Sequence, residues 1–277
     1  MPEILDLTIA IPVKNEERNI KGCLECIGEQ FVKKIVLIDS GSTDATLEIA
    51  RSYGAEIIDF KWNGKYPKKR NWYLENHQPD TKWVLFLDAD EYLTPAFKNS
   101  LRHAISSDDK EGFWLNYTIY FQNKILKGGY PLKKLALFRV GNIRYEKIDE
   151  ESWSGLDMEI HEHPIVSGKT GQIKARIDHQ DFRGIDHYIK KHDEYGTWEA
   201  RRFLRLRNNN AIWNDLTWKQ KMKYRLMNTP YLGPMFFIGS FFFMGGFRDG
   251  RRGFTFSLMK MSYFTQIYCK IREYKKN

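Results

Sequence analysis

The sequence predicts an α/β protein with a mostly parallel central sheet flanked by helices, followed by a helical, basic and aromatic C-terminal extension. Three observations carry that prediction. Residues 1–100 alternate strand-like and helix-like segments, the pattern of parallel strands joined by crossover helices. Trp83-Val84-Leu85-Phe86-Leu87 is a run of bulky apolar residues, as expected of a strand buried on both faces. The run stops at Asp88-Ala89-Asp90-Glu91, which puts carboxylates at the carboxyl edge of the sheet, where open α/β proteins bind ligands.

The elements follow in order. Leu7–Val13 is rich in β-branched residues and reads as a strand whose ladder stops at Pro12. After the polar loop Lys14–Glu17, Ile20, Cys23, Leu24 and Ile27 recur at helical spacing. Ile35–Ile38 is a second buried strand. It runs into Asp39-Ser40-Gly41-Ser42-Thr43-Asp44, a loop of hydroxyls and carboxylates that ends in helix-starting residues. A helix over 45–50, a C-terminal Gly54 and a strand over 55–59 complete the alternation. Residues 61–71 are basic and lead into a helix near Lys69–Glu75, and Thr94-Pro95 starts another as N-cap and first helical residue. The loops Lys14–Glu17, Asp39–Asp44 and Asp88–Glu91 should converge on one pocket. Beyond residue 110, Phe113–Gln122 and Leu135–Val140 read as strands, Ile143–Gln180 as irregular, and 185–207 as a helix. The expected division is a catalytic domain over 1–183, with a donor half (1–100) and an acceptor half (101–183), and an extension over 184–277.

Charge is unevenly placed. Residues 1–150 are neutral overall, whereas 201–277 carry 16 Lys and Arg against 3 Asp and Glu. Aromatic residues interleave with these bases, yet no nucleic-acid motif accompanies them, so a nucleic-acid partner is not expected. The stretch Met235–Phe247 is too short and too glycine-broken to span a bilayer, which needs about 20 apolar residues. Flanked by bases, it suits attachment to the surface of an anionic membrane, with burial in a helical core as the alternative. Cys23, Cys26 and Cys269 make no disulfide framework, and the N-terminus has no signal-peptide pattern, which fits a cytoplasmic protein. Asn116-Tyr117-Thr118 is a chance match to a glycosylation sequon in a strand.

Asp88 and Asp90 can offer hard oxygen ligands to Mg²⁺ or Mn²⁺, which would offset charge on a leaving diphosphate. Asp39 can accept from a base N–H or ribose hydroxyl, and Lys69 or Arg70 can reach phosphate or base oxygens. His161, His163 and His179 do not have the spacing of a zinc site.

In combination, Ile11-Pro12-Val13-Lys14-Asn15-Glu16, Val36–Asp44 and Leu87–Glu91 resemble the ordered signature of family 2 glycosyltransferases of the GT-A fold. Lys14 departs from it, since many relatives carry an aromatic residue there. A narrower resemblance, on His161-Glu162-His163, Asp178–Arg183, Tyr188–His192 and Asp249–Phe254, is to bacterial lipopolysaccharide-core β-glucosyltransferases and related surface-polysaccharide transferases. These resemblances imply an inverting, Mn²⁺- or Mg²⁺-dependent enzyme that uses a nucleotide-diphosphate sugar. The acceptor would be lipopolysaccharide core or a lipid-linked saccharide, reached at the cytoplasmic face of the inner membrane. The donor-binding residues expected are Pro12, Val13, Asn15, Glu16, Asp39, Ser40, Lys69, Arg70, Asp88 and Ala89. The resemblance gives Asp90 to the metal directly and Asp88 to the ribose or to the metal through water; of the histidines, His179 is the candidate for a further metal ligand, with a structural histidine as the alternative. Glu162 is expected to be the general base, because inversion needs a proton acceptor on the acceptor side, opposite the diphosphate. Two other readings are a nucleotidyltransferase, which usually carries a Gly-rich basic loop after its first strand, and a non-catalytic scaffold of polysaccharide assembly.

Overall fold

The computed structural model describes residues 3–106, 109–148, 155–159, 162–180 and 183–276. In chain order its first part comprises β1 (Leu5–Val13), α1 (Glu17–Ile27), β2 (Val32–Asp39), α2 (Thr46–Ser52), β3 (Glu56–Asp59), α3 (Lys69–Asn76), β4 (Trp83–Phe86), β5 (Glu91–Tyr92) and α4 (Pro95–Ile105). Then come β6 (Gly112–Phe121), β7 (Lys124–Ile125), β8 (Lys133–Arg139), β9 (Ile143–Tyr145), β10 (Pro164–Val166) and β11 (Thr170–His179). The main sheet has the order β3-β2-β1-β4-β8-β6-β11-β5, with β7 paired to β6. Its first four strands are mutually parallel, β8 runs antiparallel to β4 and β6, and β11 lies parallel to β6. This is the mixed, mostly parallel α/β sheet of the GT-A fold.

Burial on both faces explains why β4 is apolar throughout and β1 is apolar from Ile9 to Val13. Leu7, Ile9, Ile11, Trp83 and Leu85 face α1 and α4, meeting Ile20, Cys23, Leu24, Ile27, Phe97 and Leu101. Ala10, Val84 and Phe86 point the other way, toward Tyr73, Phe138 and Tyr145. The N-terminus of α4 is built as its sequence suggests: Thr94 Oγ1 accepts from the Phe97 N–H at 3.1 Å, and Pro95 opens the helix. Cys23 and Cys26 are core thiols on α1, where the Leu93 N–H donates to Cys26 Sγ at 3.0 Å.

Two expectations change. Pro12 does not end the β1 ladder, because it pairs with Ile38 and Val13 pairs with Asp39. Val13 O accepts from Ser40 N and Ala10 O from Leu87 N, so Ala10 and Pro12 both present their backbone toward β4. Registered pairing with β4 ends at Ala10, and the missing N–H of Pro12 therefore costs no ladder bond. The second change concerns 143–180, which is not irregular throughout its described residues. It holds the β9–β10 pair and the ten-residue β11.

The chain divides into two compact units, residues 1–119 with 132–180, and 120–131 with 181–277. The hairpin segment 120–131 thus groups with the C-terminal helices, whereas the sequence reading ran one domain continuously to 183. The second unit contains α5 (Gly184–Arg207), α6 (Asn210–Asp215), α7 (Trp218–Met227), α8 (Leu232–Ile238) and α9 (Gly250–Tyr274). A π-helical turn (Gly239–Phe243) and a 3-10 turn (Gly246–Asp249) connect α8 to α9. Its core is Ala200, Phe203, Leu206, Tyr224, Met227, Ile267 and Ile271. Backbones approach closely around the two turns: a Cβ on Gly253 would lie 1.9 Å from Gly246 O, and one on Gly128 would lie 2.0 Å from Gly245 O. No helix among the described residues is long and apolar enough to cross a membrane.

Candidate active site

The carboxyl ends of β1 and β2 carry the first two predicted loops, and hydrogen bonds stitch them together. Asn15 N donates to Ser42 Oγ at 2.9 Å, Thr43 N to Asn15 Oδ1 at 2.8 Å, and Glu16 N to Thr46 Oγ1 at 2.7 Å. Asp39 is buried and folds its own loop, accepting from Gly41 N at 3.0 Å, Ser42 N at 3.1 Å and Ser42 Oγ at 2.5 Å. Gly41, at φ +87°, supplies the left-handed residue that this turn requires.

The N-terminus of α3 links these loops to the third. Lys69 Nζ donates to Val13 O at 3.2 Å and Ser40 Oγ at 2.8 Å, and lies 3.3 Å from Asp157. Burial lowers the Lys69 pKa, with Asp157 opposing the shift. Arg70 Nη2 donates to Asp88 Oδ1 at 2.9 Å, and its guanidinium sits 5.9 Å from the centre of the Phe86 ring and 5.6 Å from that of Tyr145. Glu159 caps α3 from a distant part of the chain, its two carboxylate oxygens accepting from Arg70 N at 2.8 Å and Asn71 N at 2.9 Å.

At the end of β4, Asp88 is held by two cations, since Lys134 Nζ lies 2.7 Å from Oδ2. Burial acts to raise the Asp88 pKa, but Lys134 and Arg70 outweigh it and hold the carboxyl well below its usual range. Glu91 is fully buried; it accepts from Asp88 N at 3.1 Å and bonds Lys134 Nζ through its other oxygen. Asp90 is also buried, and its Oδ1 lies 3.6 Å from His179 Nε2. Backbone register brings these two together: β11 pairs with β5 so that His179 stands opposite Glu91, and Gln180 N donates to Asp90 O. The described residues contain no set of three or more His, Cys, Asp or Glu arranged around a cation. Among the described residues, Asp90 and His179 bring a carboxylate and an imidazole together here.

Glu162 lies in a second place, a cleft lined by Trp62, Tyr66, Lys68, Glu146 and Glu159. Its Oε1 is 2.7 Å from Lys68 Nζ, and both side chains are almost wholly buried. His163 Nδ1 lies 3.3 Å from Glu146, while His161, Asp181 and Phe182 are outside the described residues.

Sequence reasoning did not find Lys134, Lys68, Asp157 or Glu159 and left Glu91 without a role. The basic run at 61–71 was a signal for Lys68. Lys134 gave only a weak one, as the second of two lysines just before the apolar run Leu135–Phe138.

Residues 8–155 match the family model described as Glycosyl transferase family 2, and the chain belongs to that family. It is 26% identical over 262 residues to the lipopolysaccharide core biosynthesis glycosyltransferase LpsC of Rhizobium meliloti, an alignment covering 90% of this chain and 86% of that one. Over 91 residues it is 38% identical to 4,4'-diaponeurosporenoate glycosyltransferase of Staphylococcus aureus, covering 30% of this chain and 24% of the relative. Among solved structures it is similar to glucosyl-3-phosphoglycerate synthase of Mycobacterium tuberculosis, crystallised with Mn²⁺, UDP and glucosyl-3-phosphoglycerate. That likeness has a TM-score of 0.32 and 20% identity, covering 42% of this chain and 44% of that one.

Proposed function

We propose that this family 2 glycosyltransferase moves a hexose, with inversion, from a UDP-type donor to a lipopolysaccharide-core or lipid-linked saccharide at the cytoplasmic face of the inner membrane. The observation that carries the reading is the pairing of buried Asp90 with His179 beside an Asp88 already balanced by Arg70 and Lys134. A carboxylate oxygen and an imidazole nitrogen suit Mn²⁺ or Mg²⁺ when phosphate oxygens complete the shell, so the residues fit the metal that the family resemblance implies. Bound there, the metal would offset the negative charge that builds on the departing diphosphate.

The chain's own residues supply the rest. Asp39, Asn15 and Ser40 face the nucleoside, Lys69 and Arg70 contribute positive charge, and Asp88 orients the ribose or sugar. On the acceptor side, Glu162 takes the hydroxyl proton as the acceptor oxygen bonds to the anomeric carbon. The bond from that carbon to the diphosphate oxygen breaks, and its electron pair leaves with the nucleotide. Lys68 orients the Glu162 carboxylate. The exposed Phe242, Phe243 and Phe247, with Arg248 and Arg251 beside them, suit an anionic lipid surface.

A screen of nucleotide sugars for transfer to core saccharides tests the reaction. Thermal shift with UDP should depend on Mn²⁺ in the wild type and lose that dependence in Asp90→Ala. Glu162→Gln should keep donor binding and lose about 100-fold or more in turnover. Metal dependence that survives Asp90→Ala refutes the site, and normal turnover of Glu162→Gln refutes the base.

A further inference from the structure

We propose that Asp157 is a positioning residue for the nucleotide: it holds the Lys69 ammonium against the seam between the β1 and β2 loops. The inference deepens the function above and rests on its placing of the nucleoside at those loops. Three consecutive residues at the start of α3 each reach Glu162 or a residue close to it in the chain. Lys68 Nζ lies 2.7 Å from Glu162, Lys69 Nζ lies 3.3 Å from Asp157, and Arg70 donates to the Glu159 carbonyl. The main chain follows the same course, since Lys69 N donates to Asp157 O at 3.0 Å.

On their other side, two of these cations meet the donor loops. Arg70 donates to Asp88 at 2.9 Å, and Lys69 Nζ donates to Val13 O at 3.2 Å and Ser40 Oγ at 2.8 Å. Val13 O also accepts from Ser40 N at 3.2 Å, so Lys69 fastens the point where the chain leaves β1 and β2. An ammonium has three protons, and Val13 O, Ser40 Oγ and the Asp157 carboxylate take them. Lys69 therefore serves the nucleotide through the loops it ties and through its charge.

That charge depends on Asp157. Lys69 is 3% exposed, and burial favours its neutral form. The charged groups that face it are Asp157, Asp39 and Arg70; both carboxylates favour the ammonium, and Arg70 opposes it. Asp39 is committed to its own loop, accepting from Gly41 N and Ser42 N, and Asp157 is the carboxylate in direct contact. The Asp157 side chain is also partly open to solvent, so changing it does not empty a core position.

The test is calorimetric titration of UDP at saturating Mg²⁺ from pH 7 to pH 9. Each variant's affinity is taken relative to wild type at the same pH, so that titration of the nucleotide cancels. Without the Asp157 carboxylate the Lys69 proton leaves at lower pH, and the neutral amine no longer attracts the diphosphate. The relative affinity of Asp157→Asn should therefore fall about fivefold across that range. Asp157→Glu, which keeps the counter-charge, should follow the wild type. Lys69→Arg combined with Asp157→Asn stays charged at every pH, and its relative affinity should not fall. A folded Asp157→Asn whose relative affinity does not fall overturns the assignment, as does the same fall in the Lys69→Arg background. If Asp157→Asn does not fold, Lys69→Met with Asp157→Asn removes both charges. That variant must bind UDP about fivefold more weakly at pH 7, and wild-type affinity in it overturns the assignment. Wild-type protein that binds neither UDP nor GDP defeats the nucleotide reading and this inference with it, whereas wild-type binding without the fall in Asp157→Asn defeats the inference alone.

Discussion

At the scale of single residues, several charges in this chain are wholly or partly buried, and each has its own solution. Lys69 and Lys134 are held by carboxylates. Lys260, on α9, is instead surrounded by the rings of Tyr188, Phe256 and Tyr263 at 5.6–5.7 Å, and its Nζ is 3.0 Å from His192 Nε2. His192 Nδ1 bonds Tyr188 O at 2.8 Å, which makes it the protonated nitrogen and leaves Nε2 to accept from Lys260. Burial, reinforced by Lys191, brings the Lys260 pKa down to about 8. Because the folded value lies below the unfolded one, between pH 8 and 10 the unfolded chain binds the proton and the folded chain does not. Stability contributed through Lys260 therefore rises with pH across that window. Melting curves from pH 7 to 9.5 should show a gain of about 2 kcal/mol in the wild type relative to Lys260→Met, with the variant the more stable of the two at pH 7. A parallel pH response in both proteins would refute this.

Among the elements, α3 shows how much of the site depends on distant contacts. It has eight residues and no capping side chain of its own, and Glu159 satisfies two of its leading amides. Glu159→Ala should leave those two amides short of partners and cost about 2 kcal/mol, while the Arg70 guanidinium keeps its bonds to the Glu159 main-chain carbonyl and to Asp88. Denaturant unfolding would measure that loss, and UDP affinity should fall with it because Lys69 and Arg70 lie on the same turn. What could be read from sequence follows from the same distinction. Strands β1, β2 and β4, helix α1 and the start of α4 were legible because buried periodicity and local caps are written in adjacent residues. Asp39, Arg70, Asp88 and Asp90 were nameable because they end strands or open a helix. Strand β11 was missed because it alternates buried Ile173 and Ile177 with Lys, Arg and Gln, and Pro12 was misjudged because its effect depends on where β4 leaves β1. Lys134 and Glu159 act across the fold, and at most a weak local pattern announces the first of them.

For the whole molecule, the division of charge seen in the sequence coincides with a division of structure. The neutral N-terminal half supplies most of the first unit, and the +13 of residues 201–277 falls entirely in the second. Within the second unit, Phe243 is 84% exposed, and Phe242, Met244 and Phe247 are exposed beside it. Flotation with anionic vesicles should fall about fivefold for each arginine removed in Arg251→Gln and Arg252→Gln, at about 1 kcal/mol per base. It should fall further with Phe242→Ser and Phe243→Ser, and binding indifferent to lipid charge and to these residues would refute membrane attachment.

The aromatic turn is anchored by main-chain bonds. Both carboxylate oxygens of Asp249 accept from Lys127 N at 2.9 Å, Oδ2 also accepts from Gly128 N at 2.9 Å, and Gly129 N donates to Met244 O at 2.9 Å. With the glycine-to-glycine approaches on either side, the turn that carries Phe242 and Phe243 is braced like a short, stiff peg. A stiff peg has one immersion depth. A spin label at position 243 should then report a single narrow depth in vesicles, and cutting the brace with Asp249→Ala should broaden that distribution before it weakens binding.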